Sequence, residues 1–316
     1  MSSDLVLFVS LDSLVPESHQ YRKFKKLFNF KSIESTLLDV EGSSNYKGYG
    51  VVRLFKCLLL QFMEDLSDRE LERYISDSNA AKWFCDFKLT EQTPDYTVYS
   101  RLRTKIGTKV LSDIFAIMRD QLRSQGYMSE VFTFVDASHL ISKANLWEER
   151  DDAKRLKYEK LNNESLPQVA HDKDARMGCK GKRKYWYGYK KHVSVDMQSG
   201  LINKVAVTKA NLTDSAGFKH VCPSGGAVYA DKGYCTSPAR ESAMFKNVHL
   251  AAIKKNNMKG KDFNLDRFYS KMRSPYERVF SQQRRRVRYV GLAKNQLSEF
   301  MYALCFNLRR CVVLAT

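Results

Sequence analysis

VFTFVDAS, residues 131–138, is where the character of the chain changes. Upstream, apolar residues recur every three or four positions. Here they run together, rich in Val and Phe, and lead into Asp136, which predicts a strand with a carboxylate at its end. GAVYAD, residues 226–231, repeats the pattern: a short apolar strand over Gly226–Ala230, then Asp231. Neighbouring strands lie about 5 Å apart. If these two are parallel neighbours, their ends present two carboxylates side by side, where open α/β sheets place their sites. Carboxylates that close repel each other unless a cation lies between them. Hard oxygen donors suit Mg²⁺ or Mn²⁺. Taken singly, each aspartate also reads as a turn former, and Asp231-Lys232-Gly233 is a good turn sequence.

A third carboxylate comes from KMRSPYERVFSQQRRRVRYVG, residues 271–291. In a helix, Arg273, Glu277, Phe280 and Arg284 fall at i, i+4, i+7 and i+11 and share one face. Glu277 is framed by guanidinium groups, and Arg285, Arg286 and Arg288 follow directly. The plain alternative is a solvated charged helix with an i,i+4 ion pair. With Asp136 and Asp231, Glu277 would complete a site for two metal ions about 3.5–4 Å apart, suited to in-line phosphoryl displacement.

The chain has 316 residues, 43% hydrophobic and 28% charged, enough for two domains with real cores. The net charge is +18, and its distribution is uneven. Residues 1–130 hold 18 basic and 18 acidic side chains; residues 131–316 hold 35 and 17, the whole excess. A concentrated positive field favours a polyanion, nucleic acid before an anionic membrane surface. The seven cysteines show neither C-x-x-C nor zinc-finger spacing, which suggests reduced thiols in a cytosolic protein. Leu5–Val9 is too short an apolar run for a signal peptide or a membrane span.

Residues 1–126 read as helices. A turn at Pro16 precedes a short basic helix, and Val51–Asp65 carries Leu54, Leu58 and Phe62 on one face. Ser67-Asp68-Arg69-Glu70 is a capping box. Thr93-Pro94-Asp95 opens a helix that Gly107 ends, and Thr108–Gln125 forms another, closed by Gly126. Short helices with tight turns could include a helix-turn-helix, but the region's neutral charge slightly favours a plain dimerisation or packing module. Beyond Val131 the strands expected are an alternating Tyr187–Met197, Leu201–Thr208 and His249–Ile253, with Ser199-Gly200 as a hairpin turn and Thr213–His220 as a short helix capped by Thr213. Residues 143–184 read as a long loop with a charged helix near 146–161. Asn295–Cys311 reads as a closing apolar helix. Within 176–192, Lys180, Lys182, Arg183 and Lys184 sit among Tyr185, Trp186, Tyr187 and Tyr189. Basic and aromatic residues interleaved in this way suit a nucleic-acid backbone and unstacked bases. A plain hairpin would put the aromatics in the core and the lysines in solvent. Both are expected here: alternate aromatics inside, and the 180–184 loop on DNA.

Taken together, these blocks resemble the bacterial DDE transposases of insertion sequences, in particular the group around insertion sequence five. LDSLVPESHQYRKF and SDRELERYI look like that family's N-terminal helical part. FVDASHL, DKDARMGCKGKRKYWYGYKKHVSVDMQSGLI, VTKANLTDS, VYADKGY and RSPYERVFS look like its catalytic blocks. The resemblance implies an α/β fold: a ribonuclease-H-like mixed sheet over 127–316, preceded by an all-helical domain over 1–126. It places the three acids on Asp136, Asp231 and Glu277, with two Mg²⁺ or Mn²⁺ ions. The 46 residues from Asp231 to Glu277 leave no room for a large insertion domain. Of the related signature Tyr-x2-Arg-x3-Glu-x6-Lys, Arg273 and Glu277 match, Arg284 stands at the Lys and Ser270 at the Tyr. The implied activity is cleavage at element ends and transfer of 3′-hydroxyls to target DNA. Arg273, Arg284, Arg285, Arg286, Arg288, Lys180, Lys182, Arg183, Lys184 and Lys232 would contact DNA. The implied partners are the terminal inverted repeats, target DNA and further copies of the chain, in the cytoplasm on the nucleoid. A nuclease without strand transfer, or an inactive DNA-binding repressor, are the competing readings.

Overall fold

The computed structural model describes residues 9–41, 48–143, 166–181, 184–273 and 285–315. The chain divides into two compact units, Met1–Gln121 with Leu304–Thr316, and Leu122–Ala303. The sequence assigns all of 127–316 to the second unit. Residues 304–316 instead group with the first, where Cys305 donates to the Leu59 carbonyl at 3.4 Å and Arg309 bonds the Met63 carbonyl.

The regular elements described in the first unit are all helical: α1 Gln20–Leu27, α2 Glu34–Glu41, α3 Val51–Met63, α4 Asp68–Asp77, α5 Asn79–Phe84 and most of α6 Tyr96–Ser124. Helix α3 is buried on nearly every side and forms the centre. The capping box at Ser67 and Glu70 is formed in both directions. Gly107, at φ +62° and ψ −173°, interrupts α6, so Tyr96–Ile106 and the stretch from Thr108 are separate helical pieces, as the glycine predicts. Arg103 holds Asp68 through two bonds of 2.7 and 2.6 Å and ties α6 to α4.

The second unit is built on a mixed sheet. Strands β1 Phe132–Ile141, β2 Arg176–Lys180, β3 Lys184–Asp196, β4 Ile202–Lys209, β5 Ala227–Ala230 and β6 His249–Ala252 lie in the order β2-β3-β1-β5-β6, with β4 also paired to β3. Around the central β1, β3 is antiparallel and β5 parallel; β6 is parallel to β5. Residues of alternate parity in β1 and β5 face opposite sides. On one side Val135, Val228 and Ala230 pack with Phe218 of α8 Asp214–Val221 and with Ala239 and Ala243 of α9 Ser237–Phe245. On the other, Phe134, Tyr229 and Ala251 pack against Tyr269 and Met272 of α10 Phe263–Arg273.

Two expectations from the sequence do not hold. The stretch 143–184 is not loop throughout: the one-turn α7 Leu166–Val169 and strand β2 lie within it. Only Met177 and Gly178 of β2 are buried, so its polar composition hides the strand. β2 owes its place to pairing with β3 across a turn containing Gly181 at φ +64°. β3 does not alternate; it is buried on both faces over most of its length. The charged helix expected near 146–161 lies outside the described residues. The closing helix α11 spans Leu292–Leu314. No helix among the described residues is long and apolar enough to cross a membrane.

Candidate active site

The parallel pairing of β1 with β5 runs from Phe132 opposite Ala227 to Val135 opposite Ala230 and stops there. The next residues in register are Asp136 and Asp231. The sequence puts Asp136 at a strand end. Instead β1 continues to Ile141, still paired with β3, and it is β5 that stops. The two aspartates therefore stand where the sheet splits. By strand parity Asp136 shares the face of Phe134, the side covered by α10. That opening is the kind of place where α/β sheets bind ligands.

Local bonds orient both carboxylates. Ala137 N–H donates to Asp136 Oδ1 at 2.8 Å, and Gly233 N–H to Asp231 Oδ1 at 2.7 Å. A Cβ at Gly233 would lie 2.8 Å from that same oxygen, so a side chain there would push the carboxylate away. Burial, with the nearby charge of Asp231, raises the Asp136 pKa to about 6; the Ala137 amide, Arg273 and Lys180 pull the other way. Arg273, the last residue of α10, is 9% exposed, with its guanidinium 5.5 Å from the Phe134 ring centre. Burial raises the Tyr234 phenol far above its ordinary value, helped by the charges of Asp136, Asp214 and Asp231. Its hydroxyl is buried with no hydrogen-bond partner among the described residues. Nothing in the sequence singles Tyr234 out beyond its place three residues after Asp231.

A basic group lies at the other end of β1. Lys180 and Lys184 are directly opposite in the β2–β3 pairing. Lys184 is lowered by partial burial and by the charges of Arg285 and Lys180. His139 is held down to about 4 by burial, then by Lys184, Arg285 and Lys180, so it is neutral at pH 7. Arg285 and Arg286 are exposed, and their backbone is pinned to β1. Ile141 N–H donates to the Arg285 carbonyl at 2.7 Å, and Val287 N–H to the Ile141 carbonyl at 2.9 Å. Arg288 is half-buried, its guanidinium 5.9 Å from the Tyr289 ring centre. Lys232 is exposed on the turn after Asp231. Glu277, Arg284, Lys182 and Arg183 lie outside the described residues. Among the described residues, no group of three His, Cys, Asp or Glu side chains could hold a metal ion.

A split mixed sheet with paired aspartates and a basic border is chemistry suited to phosphodiesters. Residues 9–105 match a family described as a transposase domain (DUF772), and residues 152–308 match the transposase DDE domain. The chain belongs to the DDE transposases of bacterial insertion sequences. It is 26% identical over 251 residues to the transposase for insertion sequence element IS1106 of Neisseria meningitidis serogroup B, covering 69% of this chain and 85% of that one. These matches do not single out the group around insertion sequence five. A chain from a piggyBac transposase synaptic complex with hairpin DNA is 9% identical, at a TM-score of 0.40 over 94% of this chain and 76% of that one. That likeness is too distant to bear on the site.

Proposed function

We propose that the protein cuts DNA at the ends of its element and joins the 3′-hydroxyls to a target, using Asp136, Asp231 and Glu277 on a ribonuclease-H-like sheet. The observation that carries this reading is the register of β1 and β5: Val135 lies opposite Ala230, so the next residue of each strand is an aspartate. The sheet order supports the fold assignment, with β1 flanked by antiparallel β3 and parallel β5.

The residues present fit a divalent cation. Two carboxylates close enough for one to raise the pKa of the other, at a half-buried site, are the arrangement a dication relieves. Asp136 and Asp231 would hold it, with Glu277 as a further ligand. Bound there, the metal pair would stabilise charge on the attacking and leaving oxygens of an in-line displacement. Arg273 offsets part of the negative charge behind Asp136. Lys180, Lys184, Arg285 and Arg286 form the basic border along which a DNA strand lies, and water, then a DNA 3′-oxygen, is the nucleophile. Neutral His139 accepts or donates a hydrogen bond there without adding charge. Further copies of the chain assemble on paired element ends.

Asp136→Asn tests the reading on a labelled duplex carrying the element end. Cleavage in Mg²⁺ falls by at least a thousandfold, while binding is unchanged or slightly tighter, because the substitution removes a negative charge and leaves every DNA-binding group in place. Full cleavage by this variant would take Asp136 out of the mechanism.

A further inference from the structure

Beyond the acids and the basic border, two fully buried carboxylates have no counter-ion among the described residues: Asp196, held by Ser129, the Glu130 amide and Ser199, and Asp172. Asp172 is 0% exposed. Its Oδ2 accepts from the Ser142 hydroxyl at 2.7 Å; its Oδ1 accepts from the Tyr189 hydroxyl at 2.6 Å and from Gly291 N–H at 3.3 Å. Its carbonyl accepts from the Tyr187 hydroxyl at 2.8 Å. These four groups come from three parts of the chain: the residue after β1, strand β3, and the link between Arg288 and α11. A buried carboxylate is costly unless its oxygens are satisfied, and here each is satisfied by neutral donors.

The link that Asp172 touches is the end of a strap. At its start, residues 285–287 are bonded to Ile141 through two backbone bonds. At its finish, Gly291 donates to Asp172 and Leu292 donates to Asp174 Oδ2 at 2.9 Å. Gly291 takes φ +95°, a backbone shape that L side chains rarely adopt. Between these anchors Val287 is buried in the cluster of Leu140, Met177, Tyr187 and Tyr189, while Arg285 and Arg286 point to solvent. Asp172 also fixes Ser142, one residue past the Ile141 anchor, so it holds both sides of the strap's attachment.

We propose that Asp172 is a positioning residue for DNA: by tying the end of β1, strand β3 and Gly291 together, it fixes the strap that presents Arg285 and Arg286 to the phosphate backbone. The inference rests on the DNA reading above, in that the strap must touch DNA.

The test is a cycle of variants in the full-length protein, Asp172→Asn, Arg285→Gln with Arg286→Gln, and all three together. Affinity for a labelled duplex is measured across a salt series. Removing one cation from a DNA phosphate lowers the slope of log affinity against log salt by about 0.9. The arginine pair is expected to lose up to about two such steps. Asp172→Asn alone is expected to lose about one, with faster amide exchange at Ile141 and Val287. The triple variant should bind no worse than the arginine pair, since groups acting as one unit are not additive. Additive losses, or an unchanged slope in Asp172→Asn despite a lower melting temperature, would mean the carboxylate only supports the core and would overturn the proposal. Tyr189→Phe removes a single bond to Asp172 and keeps the ring in place. If Asp172→Asn fails to fold, the same cycle run with Tyr189→Phe decides the matter. An unchanged slope in the arginine pair would show that the strap does not touch DNA and would overturn this proposal alone. A wild-type protein that binds no duplex would sink the parent reading as well.

Discussion

At the residue scale the most informative group is Asp136. Its pKa of about 6 in the folded chain stands above the ordinary 3.8 because burial and Asp231 disfavour its charge. The sign follows directly. A raised carboxylate contributes stability that is fully present below 3.8 and is lost as pH rises through about 6. Above that range the metal-free protein carries a charge it would be more stable without. Asp136→Asn in the presence of a chelator should therefore raise stability at pH 7.5 by about 1–2 kcal/mol, and the gain should vanish near pH 4. Thermal melts at the two pH values check both halves. Mg²⁺ should reverse the order at pH 7.5, since a ligand that binds only the folded wild type stabilises it by mass action. Equal Mg²⁺ stabilisation of both proteins would remove Asp136 from the metal site.

At the element scale the β2–β3 hairpin and helix α8 make opposite kinds of demand. In the hairpin, Lys180 faces Lys184 across the pair, and like charges so placed are destabilising. Lys184→Gln should therefore raise stability by about 0.2–0.5 kcal/mol while weakening DNA binding and lowering its salt slope by about one. Denaturant melts and gel shifts over a salt series measure the two. Weaker binding without a change in slope would place the lysine away from the backbone. In α8 the demand is steric. A Cβ on Gly217 would lie 2.2 Å from Cε1 of His192, a buried ring whose Nε2 is 2.9 Å from the Thr208 hydroxyl. Gly217→Ala should cost about 1–3 kcal/mol by forcing helix and strand apart, read as a lower denaturation midpoint. Burial holds His192 down to about 4, so this ring is a neutral packing element.

For the whole molecule, charge and shape divide between the two units. The excess of +18 lies beyond residue 130, and the helical region before it is neutral. Binding to random duplex should fall steeply with salt, as counterion release requires. Replacing Lys180, Lys184, Arg285 and Arg286 by Gln should remove about four units of the slope, close to one per side chain. Replacing the exposed Lys26, Arg101, Lys105 and Lys109 of the helical unit should instead reduce the preference for element ends over random duplex. Competition gel shifts separate the two effects. An equal drop in preference from both sets would mean that end recognition is not confined to the helical unit.

Sequence alone determined the features that depend on short-range chemistry. The capping box at Ser67, the break at Gly107, the cap at Thr213 and the apolar runs of β1 and β5 each depend on residues a few positions apart. Those two runs are also enough to mark Asp136 and Asp231 as a pair. What the tertiary structure decided depends on partners far along the chain. β1 runs past Asp136 because β3 continues to pair with it, so the aspartates mark a split in the sheet rather than two strand ends. β2 exists because β3 lies beside it, not because its own residues are apolar. Residues 304–316 group with the helical unit through Leu59 and Met63, some 246 positions earlier. In the linear chain Asp172 is one more charge in a polar stretch. Only folding buries it and surrounds it with Ser142, Tyr189 and Gly291, because hydrogen-bond partners are set by distance in space, which a linear pattern does not carry.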